Sequence, residues 1–299
     1  MKHIAFAVIG GSYAGLSAAL QLARARRQVL VVDAGQRRNR FVDAAGETSH
    51  GFLTQDGRAP AEIAADAREQ LMNYSNVEWI HGTADEARVA SDGRLEFRVG
   101  SEAISAHRLI LATGVRDELP PVPGLAERWG RSIFHCPYCH GYEMNAGPIG
   151  IIAASPLALH HALMLPDWGS PTLFLNGSYT PSADDLAGIA RRGTQVEPVL
   201  IERIDGHADV VLQDGRTVSL NGLFTQPRTL LTSPVAEQLG CVLEDGPMGL
   251  FIKVDDFKAT SVPNVFACGD AARAAGNVTL AVADGAMAGF GAHRTSMFS

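Results

Sequence analysis

The sequence predicts an α/β fold in which two strand–helix–strand units of the same kind follow one another. The first begins with an apolar strand, "IAFAVIG" at 4–10, and continues through a helix of small residues into a second strand, "VLVVD", which ends on Asp33. The same pattern recurs in "IGIIAASPLALHHALMLPDWGSPTLFLNG" at 149–177. At 299 residues the chain is long enough for about two domains with separate cores. We therefore expect two Rossmann-like domains, each of three layers with a parallel sheet.

The turn after the first strand, "GGSYAG", matches the dinucleotide fingerprint G-x-G-x-x-G except that Ser12 replaces the middle glycine. Gly10 is expected to form the tight turn, Gly15 to let helix and strand pack closely, and Gly11 to keep the backbone permissive. The amides at the helix N-terminus would face a pyrophosphate. Asp33, 23 positions after Gly10, is placed to bind a ribose hydroxyl. The sequence therefore predicts a bound dinucleotide, and a domain of this topology that binds none is the alternative.

The second unit has lost this fingerprint. When the two units are aligned, Ala153 takes the place of Gly10 and Asn176 that of Asp33, again 23 positions apart. A β-carbon and Pro156 stiffen the loop, and an amide lacks the carboxylate that binds a ribose diol. No Lys or Arg occurs from 132 to 190. We expect this unit to bind nicotinamide nucleotides poorly or not at all; the alternative is that other loops supply the charge.

Composition and charge exclude several classes of partner. The formal net charge of −7 disfavours nucleic acid, because phosphate binding draws on clustered Lys and Arg. No apolar run approaches the roughly 18 residues that span a bilayer. The first residues resemble a strand rather than a signal peptide, so we expect a cytoplasmic protein without membrane contact.

The string "FHCPYCHGYE" at 134–143 places two cysteines in a C-x-x-C-H motif. Such a motif can bind zinc, anchor a c-type haem or act as a redox dithiol. Zinc is disfavoured because Cys241 and Cys268 are isolated and no second ligand pair is present, so we predict no metal site. Covalent haem requires export, for which the chain shows no signal. The isolated cysteines are expected to be small buried apolar residues, and the adjacent His160 and His161 to be structural.

Four features together resemble the low-molecular-weight thioredoxin reductases over essentially the whole chain. They are the first nucleotide unit, "LILATG" at 109–114, the C-x-x-C before the second unit, and "NVFACGDAA" at 264–272. The resemblance implies FAD on the first unit and a homodimer. It also implies a flavin domain that is discontinuous in sequence, which the strand pattern places at 1–114 and 227–299, around a middle domain at 115–226.

The resemblance implies FAD contacts at several positions. The AMP half would be held by the fingerprint turn and its acid, the ribityl and pyrophosphate part by the late "GD", and the isoalloxazine by the N-terminus of the last helix. A turn at the exit of the flavin domain and the segment 50–57 would lie along the flavin as well. The implied residues are Gly10, Gly11, Ser12, Gly15, Asp33, Thr113, Gly114, Gly269, Asp270, Val278 and Thr279.

Two departures from that family concern the redox site. His140 stands where an acid usually follows the second cysteine, and the nicotinamide glycines are missing. Both departures resemble the branch that contains the dithiol oxidases of the gliotoxin and holomycin type. By resemblance, Cys139 faces the flavin, Cys136 exchanges with the substrate and His140 is the acid or base. His135 is either a second proton carrier or a polar residue at a strand end.

The sequence thus predicts an FAD-dependent enzyme that oxidises a small or peptidic dithiol and passes the electrons to oxygen or another acceptor. Two alternatives stay open. One is a disulfide reductase driven by NAD(P)H or another donor, with a thioredoxin-like protein as acceptor. The other is a redox-sensing flavoprotein without turnover.

Overall fold

The computed structural model describes residues 1–298. Contacts within the chain divide it into two compact units: unit 1 contains residues 1–40, 61–116 and the chain from Thr229 onward, and unit 2 contains residues 41–60 and 117–228. Residues 41–60, which the sequence-based division places in the flavin domain, group with unit 2. In this segment the backbone of Phe41 packs directly on Gly130, and Gly51 lies beside the carbonyl of Tyr138.

The helices and strands follow one another closely along the chain. Residues 2–111 form β1 (Lys2–Ile9), α1 (Tyr13–Arg24), β2 (Val29–Asp33), α2 (Arg40–Ala45), α3 (Pro60–Met72), β3 (Val77–His81), β4 (Ala84–Val89), β5 (Leu95–Val99) and β6 (Glu102–Leu111). Residues 115–225 form β7 (Val115–Glu118), β8 (Ile133–Phe134), α4 (Pro137–His140), β9 (Pro148–Ile152), α5 (Ala158–Met164), β10 (Ser170–Phe174), α6 (Ala183–Arg192), β11 (Gln195–Glu197), β12 (Ile201–Asp205), β13 (Asp209–Leu212), β14 (Thr217–Ser219) and β15 (Gly222–Thr225). The remainder forms β16 (Arg228–Leu231), α7 (Val235–Gln238), β17 (Leu243–Gly246), β18 (Gly249–Ile252), β19 (Val265–Ala267) and α8 (Val278–Thr295).

The sheet of unit 1 has the strand order β3-β2-β1-β6-β5-β4, with β19 added beside β6. Strands β3, β2, β1, β6 and β19 are parallel, whereas β4 and β5 form an antiparallel extension on the first half of β6. The carboxyl ends of parallel strands meet at one edge, where ligands of open α/β sheets bind. This edge therefore gathers the turns after β1, β2, β6 and β19.

Helices α1 and α8 cover one face of this sheet and lie against each other at very short range. A β-carbon on Gly285 would collide with the carbonyl of Ala14, and one on Gly289 would collide with the carbonyl of Ala18. The hydroxyl of Ser17 donates to the carbonyl of Val282 at 2.7 Å. The small residues of both helices thus let their backbones touch, which fixes where α8 begins relative to the fingerprint turn.

Unit 2 contains a five-stranded parallel sheet, β11-β10-β9-β15-β8, and a three-stranded antiparallel sheet, β12-β13-β14. The segment β9-α5-β10 is the second strand–helix–strand unit, and its two strands are parallel as predicted. Helix α4, which carries the C-x-x-C motif, follows β8 at the edge of the sheet. The predicted α/β fold with two Rossmann-like domains is confirmed. No helix within residues 1–298 combines the length and apolarity that a bilayer crossing requires.

Candidate active site

The fingerprint turn in unit 1 has the backbone that its glycines predict. Gly10 has φ +110°, and its N–H donates to the carbonyl of Val32 at 2.8 Å. A β-carbon there would collide with the carbonyl of Ala112, and one on Gly15 would collide with the carbonyl of Gly10. Gly10 therefore makes the turn and Gly15 allows the close approach of helix α1.

Asp33 ties the ends of β1 and β2 together. Its Oδ1 accepts hydrogen bonds from the N–H of Gly11 at 3.2 Å and of Gly35 at 3.1 Å. The ring of Trp79 occupies the space that a β-carbon on Gly11 would need, so this glycine is required by packing. Sequence analysis did not single out Trp79, because one aromatic residue in a half-buried strand carries no signal of its own.

The same edge fits the AMP half of a dinucleotide. Ser12 is the N-cap of α1 but its side chain accepts no hydrogen bond from the first turn, which leaves that turn's amides without a side-chain cap. Helix N-termini of this kind carry partial positive charge and bind phosphate. The Oδ2 of Asp33 has no hydrogen-bond partner within residues 1–298 and is therefore available to a ribose hydroxyl.

The turn after β19 supplies the second half of this site. Gly269 has φ +68° and packs against Ala14 at the start of α1. The Oδ2 of Asp270 accepts from Nη1 of Arg38 at 2.9 Å. Arg38, in the basic run after β2, was not predicted, because nothing in the sequence indicates which member of that run reaches this turn. Its charge would lie close to a bound pyrophosphate.

The exit turn after β6 and the start of α8 border the same edge. Gly114 has φ +68°, and the carbonyl of Thr113 accepts from the hydroxyl of Thr232 at 2.6 Å. Val278 and Thr279 form the first turn of α8, which Asn277 caps through a hydrogen bond from the N–H of Leu280. The structure thus brings the eleven predicted FAD residues to unit 1, while the segment 50–57 belongs to unit 2. Their contacts with FAD stay a prediction.

A buried ion cluster holds the loop between β19 and α8. Asp284 on α8 is only 4% exposed. Its Oδ1 lies 2.7 Å from Nζ of Lys258, and its Oδ2 lies 2.9 Å from Nη1 of Arg273. Two cations thus compensate one buried carboxylate: Arg273 ties the loop to α8, and Lys258 ties the segment before β19 to the same helix.

In unit 2, Cys136 and Cys139 form a disulfide at helix α4, with a Cα–Cα distance of 5.3 Å. Cys136 is the N-cap residue and Cys139 lies one turn further on, where its N–H donates to the carbonyl of Cys136 at 3.1 Å. Both residues are partly exposed. The interpretation of this motif as a redox dithiol is confirmed. Within residues 1–298 no group of three His, Cys, Asp or Glu side chains is arranged to hold a metal ion.

His140 ends α4 and is held by ring stacking alone. Its ring lies parallel to that of Phe134, with centroids 4.0 Å apart. Neither ring nitrogen has a hydrogen-bond partner within residues 1–298, and both are shielded from solvent. Burial, and to a smaller extent the nearby His50, lowers the pKa of His140 to about 4. At neutral pH the ring is therefore uncharged and can accept a proton.

His50 is a second neighbour of this ring, and sequence analysis assigned it no role at the redox site. The rings of His50 and His140 meet edge to face at 6.5 Å. Nε2 of His50 lies 3.0 Å from the Thr48 hydroxyl and 3.4 Å from Oε1 of Glu143. His50 is about 90 positions away from His140 and Glu143 in sequence, so no local pattern could have shown their proximity. The position of the segment 50–57 along the flavin stays a prediction.

His160, His161, Cys241 and Cys268 were predicted to be structural, and His135 was left open between a proton carrier and a polar residue at a strand end. His161 is buried and His160 exposed. The His161 ring hydrogen-bonds to the backbone of His135, just before the first cysteine, although burial outweighs this bond and lowers the pKa of His161 to about 4. Cys241 and Cys268 are buried free thiols, and burial raises the pKa of both.

The turn after β9 differs from the fingerprint turn in more than its residues. The last paired residues are Ile9 with Val32 in unit 1 but Ile152 with Phe174 in unit 2, so the interval is one residue shorter. Asn176 lies one position beyond the structural counterpart of Asp33, and its Oδ1 accepts from the N–H of Ile201 at 3.0 Å. The amide is thus used inside unit 2.

The chain is similar to a known protein family over most of its length. The family model for pyridine nucleotide-disulphide oxidoreductases matches residues 4–285. The chain belongs to this family. Its members are FAD-binding flavoproteins, so FAD is the cofactor of this protein. The protein is an FAD-dependent oxidoreductase that acts on disulfide or dithiol groups.

Individual relatives match along almost the whole chain. "Thioredoxin reductase tcpT" of Claviceps purpurea is 36% identical over 298 residues, which cover 94% of this chain and 91% of that protein. "Thioredoxin reductase sirT" of Leptosphaeria maculans is 32% identical and covers 95% of this chain and 91% of its own. The thioredoxin-reductase-like character predicted from the sequence is thereby confirmed.

Two solved structures are similar at the level of the whole fold. An oxidoreductase from Agrobacterium tumefaciens has a TM-score of 0.95 and 56% identity, over 100% of this chain and 99% of that one. The crystal structure of HlmI has a TM-score of 0.89 and 35% identity, over 99% of this chain and 93% of that one.

Proposed function

We propose that this oxidoreductase oxidises a small or peptidic dithiol through Cys136 and Cys139 and delivers the electrons by way of FAD to oxygen or another acceptor. The observation that supports this direction is the divergence of the turn after β9 from the nucleotide fingerprint. The turn after β9 has no glycine, Asn176 is engaged by Ile201, and no cation occurs from 132 to 190. Electrons are therefore expected to enter at the disulfide rather than from a nicotinamide nucleotide.

The proposed thiol–disulfide exchange takes place in two steps. A substrate thiolate attacks Sγ of Cys136, the bond between Cys136 and Cys139 breaks, and Cys139 leaves as a thiolate. The second substrate thiolate attacks the substrate sulfur of this mixed disulfide, which forms the product disulfide and releases Cys136 as a thiolate. The uncharged ring of His140 accepts a proton from a substrate thiol. FAD, when bound, would accept two electrons from the reduced Cys136 and Cys139, whose disulfide re-forms.

The setting of this activity is also proposed. FAD would be held by the residues gathered at the edge of the unit 1 sheet. The flavin domain would comprise residues 1–114 and 227–299, and the middle domain residues 115–226. We propose a cytoplasmic homodimer without nucleic-acid partners, on the basis of the family resemblance and the net charge of −7.

A second candidate function is reduction of a thioredoxin-like protein with NAD(P)H or another donor. The observation that favours it is the name thioredoxin reductase, which several relatives carry. The third hypothesis, a redox sensor without turnover, would be excluded by many turnovers with a simple dithiol alone.

Anaerobic stopped-flow absorbance separates these functions. The holoprotein is mixed in parallel with dithiothreitol, NADPH and NADH while the oxidised-flavin band is followed. Bleaching by the dithiol alone, reversed by air, is the expected result. Rapid bleaching by NADPH would instead establish the reductase, and would show that the turn after β9 still binds the nucleotide.

A further inference from the structure

His140 is partly exposed as a residue, but the nitrogens of its ring do not reach water in the disulfide state. Both of its nitrogens are shielded and lack hydrogen-bond partners within residues 1–298. One face of the ring is covered by Phe134, which itself contacts Phe224 at 6.2 Å between centroids. A proton taken up by this ring therefore needs a second group to reach solvent.

His50 is the titratable side chain whose ring meets that of His140, at 6.5 Å between centroids and at 86°. At this separation the ring nitrogens are too far apart for a direct hydrogen bond, so a proton would have to pass between them through water. The His50 side chain is 23% exposed, whereas the two carboxylates beside it are more open, Glu143 at 37% and Asp56 at 68%. Exposure thus increases in steps from His140 outward.

Each nitrogen of His50 faces a group that can exchange protons. Nε2 lies near the Thr48 hydroxyl and the Glu143 carboxylate, and Nδ1 lies 3.8 Å from Oδ1 of Asp56. A ring that takes up a proton on one nitrogen can release another from the opposite nitrogen. The contacts of His50 thus connect the buried ring to two partly exposed carboxylates.

We propose that His50 is a positioning residue of the redox site, which carries protons between His140 and the carboxylates of Glu143 and Asp56. The proposal rests on the dithiol chemistry of Cys136 and Cys139. A dithiol that becomes a disulfide gives up two electrons and two protons. Each proton that His140 accepts would pass to His50, then to a carboxylate, and then to water, which returns His140 to its uncharged form.

The test follows the disulfide directly rather than the flavin. The oxidised holoprotein is mixed with dithiothreitol, quenched in acid at set times, and the freed cysteines are alkylated and counted by mass spectrometry. His50→Gln is compared with wild type at low and high concentrations of imidazole buffer. A positioned acid or base typically accelerates a reaction by roughly 100-fold or more. His50 acts behind such a group, so we expect its loss to slow exchange by about tenfold at a low buffer concentration. Added imidazole should restore the rate.

The control is His160→Gln, which removes an exposed histidine of unit 2 and should leave the rate unchanged. Glu143→Gln should slow exchange less than His50→Gln, because Asp56 stays available. His50→Asn replaces His50→Gln if the latter does not fold. The proposal is overturned by a wild-type rate in the His50 variant at low buffer, and equally by a slow rate that imidazole fails to restore, since that pattern indicates a structural role.

Failure of the relay and failure of the proposed function give different results. Acid quenching measures opening of the Cys136–Cys139 disulfide by dithiothreitol whether the protein normally oxidises dithiols or reduces disulfides. A wild type that exchanges but whose flavin is not bleached would contradict dithiol oxidation and leave the relay result standing. Normal bleaching together with an unaffected His50 variant would contradict the relay alone.

Discussion

At the scale of single residues, the two cysteines of the disulfide have different positions on α4. Cys136 precedes the helix and Cys139 lies inside it, so they need not react alike. We predict that Cys139→Ser abolishes flavin reduction by a dithiol while FAD stays bound, because the predicted FAD residues all lie in unit 1. The flavin absorbance of the purified variant, before and after anaerobic dithiothreitol, measures both effects.

Cys241→Ser is the matched control for this variant. Cys241 is a buried free thiol outside the disulfide, so its replacement should leave flavin reduction at the wild-type rate. If Cys139→Ser itself were reduced as fast as wild type, the electron path through this cysteine would be wrong.

The proton affinity of His140 determines the pH dependence of the exchange. Because burial lowers its pKa to about 4, the ring is uncharged and able to accept a proton throughout the neutral range. The wild-type rate should therefore lose this contribution only as the pH falls toward about 4. His140→Ala should slow the thiolate step by roughly 100-fold and remove the inflection.

His140→Phe separates proton transfer from packing, because it retains an aromatic ring on Phe134. It should be as slow as His140→Ala. The observable is the rate of dithiol-driven flavin reduction as a function of pH, and a wild-type profile in both variants would remove His140 from the mechanism.

At the scale of elements, the sequence predicts what is encoded locally. The unit β1-α1-β2 could be predicted because its apolar strand, glycine turn, small-residue helix and terminal acid are contiguous. The second unit, β9-α5-β10, could be predicted because it repeats the strand–helix–strand pattern of the first. The one-residue difference in register between β9 and β10 could not be predicted, since pairing of Ile152 with Phe174 depends on contacts across the sheet.

The site shows the same limit. Cys136, Cys139 and His140 form a contiguous motif and were therefore predicted. His50 and Glu143 meet only because residues 41–60 fold onto unit 2, and this grouping depends on packing against distant glycines such as Gly130. Arg38 was missed because a run of basic residues does not indicate which of them will pair with Asp270.

The loop between β19 and α8 depends on one buried carboxylate. Asp284→Asn leaves Lys258 and Arg273 facing a neutral amide, and removal of one partner from a buried ion cluster typically costs about 3–5 kcal/mol. We expect a loss of this size in the free energy of unfolding, together with weaker retention of FAD. Urea denaturation and the flavin content after gel filtration measure the two effects.

Asp205→Asn is the control for this prediction, because it breaks an ion pair with Arg203 in which both side chains are nearly half exposed. Exposed pairs contribute about 0–1 kcal/mol, so its effect should be small. Equal losses in the two variants would show that burial of Asp284 does not govern the stability of the loop.

At the scale of the whole molecule, two buried histidines make stability depend on pH. Burial lowers the pKa of both His140 and His161 from 6.5 to about 4. As the pH falls below 6.5 the unfolded chain binds protons that the folded chain does not, so stability is lost progressively down to about pH 4. The loss is at most about 3 kcal/mol for each ring.

Urea denaturation between pH 7 and about pH 4.5 tests this prediction, with His161→Gln as the comparison because it removes one of the two rings and keeps His140 and both cysteines. The free energy of unfolding of the variant should fall less steeply with decreasing pH than that of wild type. Parallel curves would show that His161 does not titrate differently in the folded and unfolded chains.

The burial of the two unpaired cysteines affects how well the protein resists oxidation. Under the proposed function, oxygen that accepts two electrons and two protons becomes hydrogen peroxide, which attacks thiolates far faster than thiols. Cys241 and Cys268 are buried and their pKa values are raised, so they remain thiols. The four cysteines of the chain thus include two that can react, and these already cycle through a disulfide. Among the cysteines, the oxidant generated at each turnover therefore finds no further thiolate that it could overoxidise.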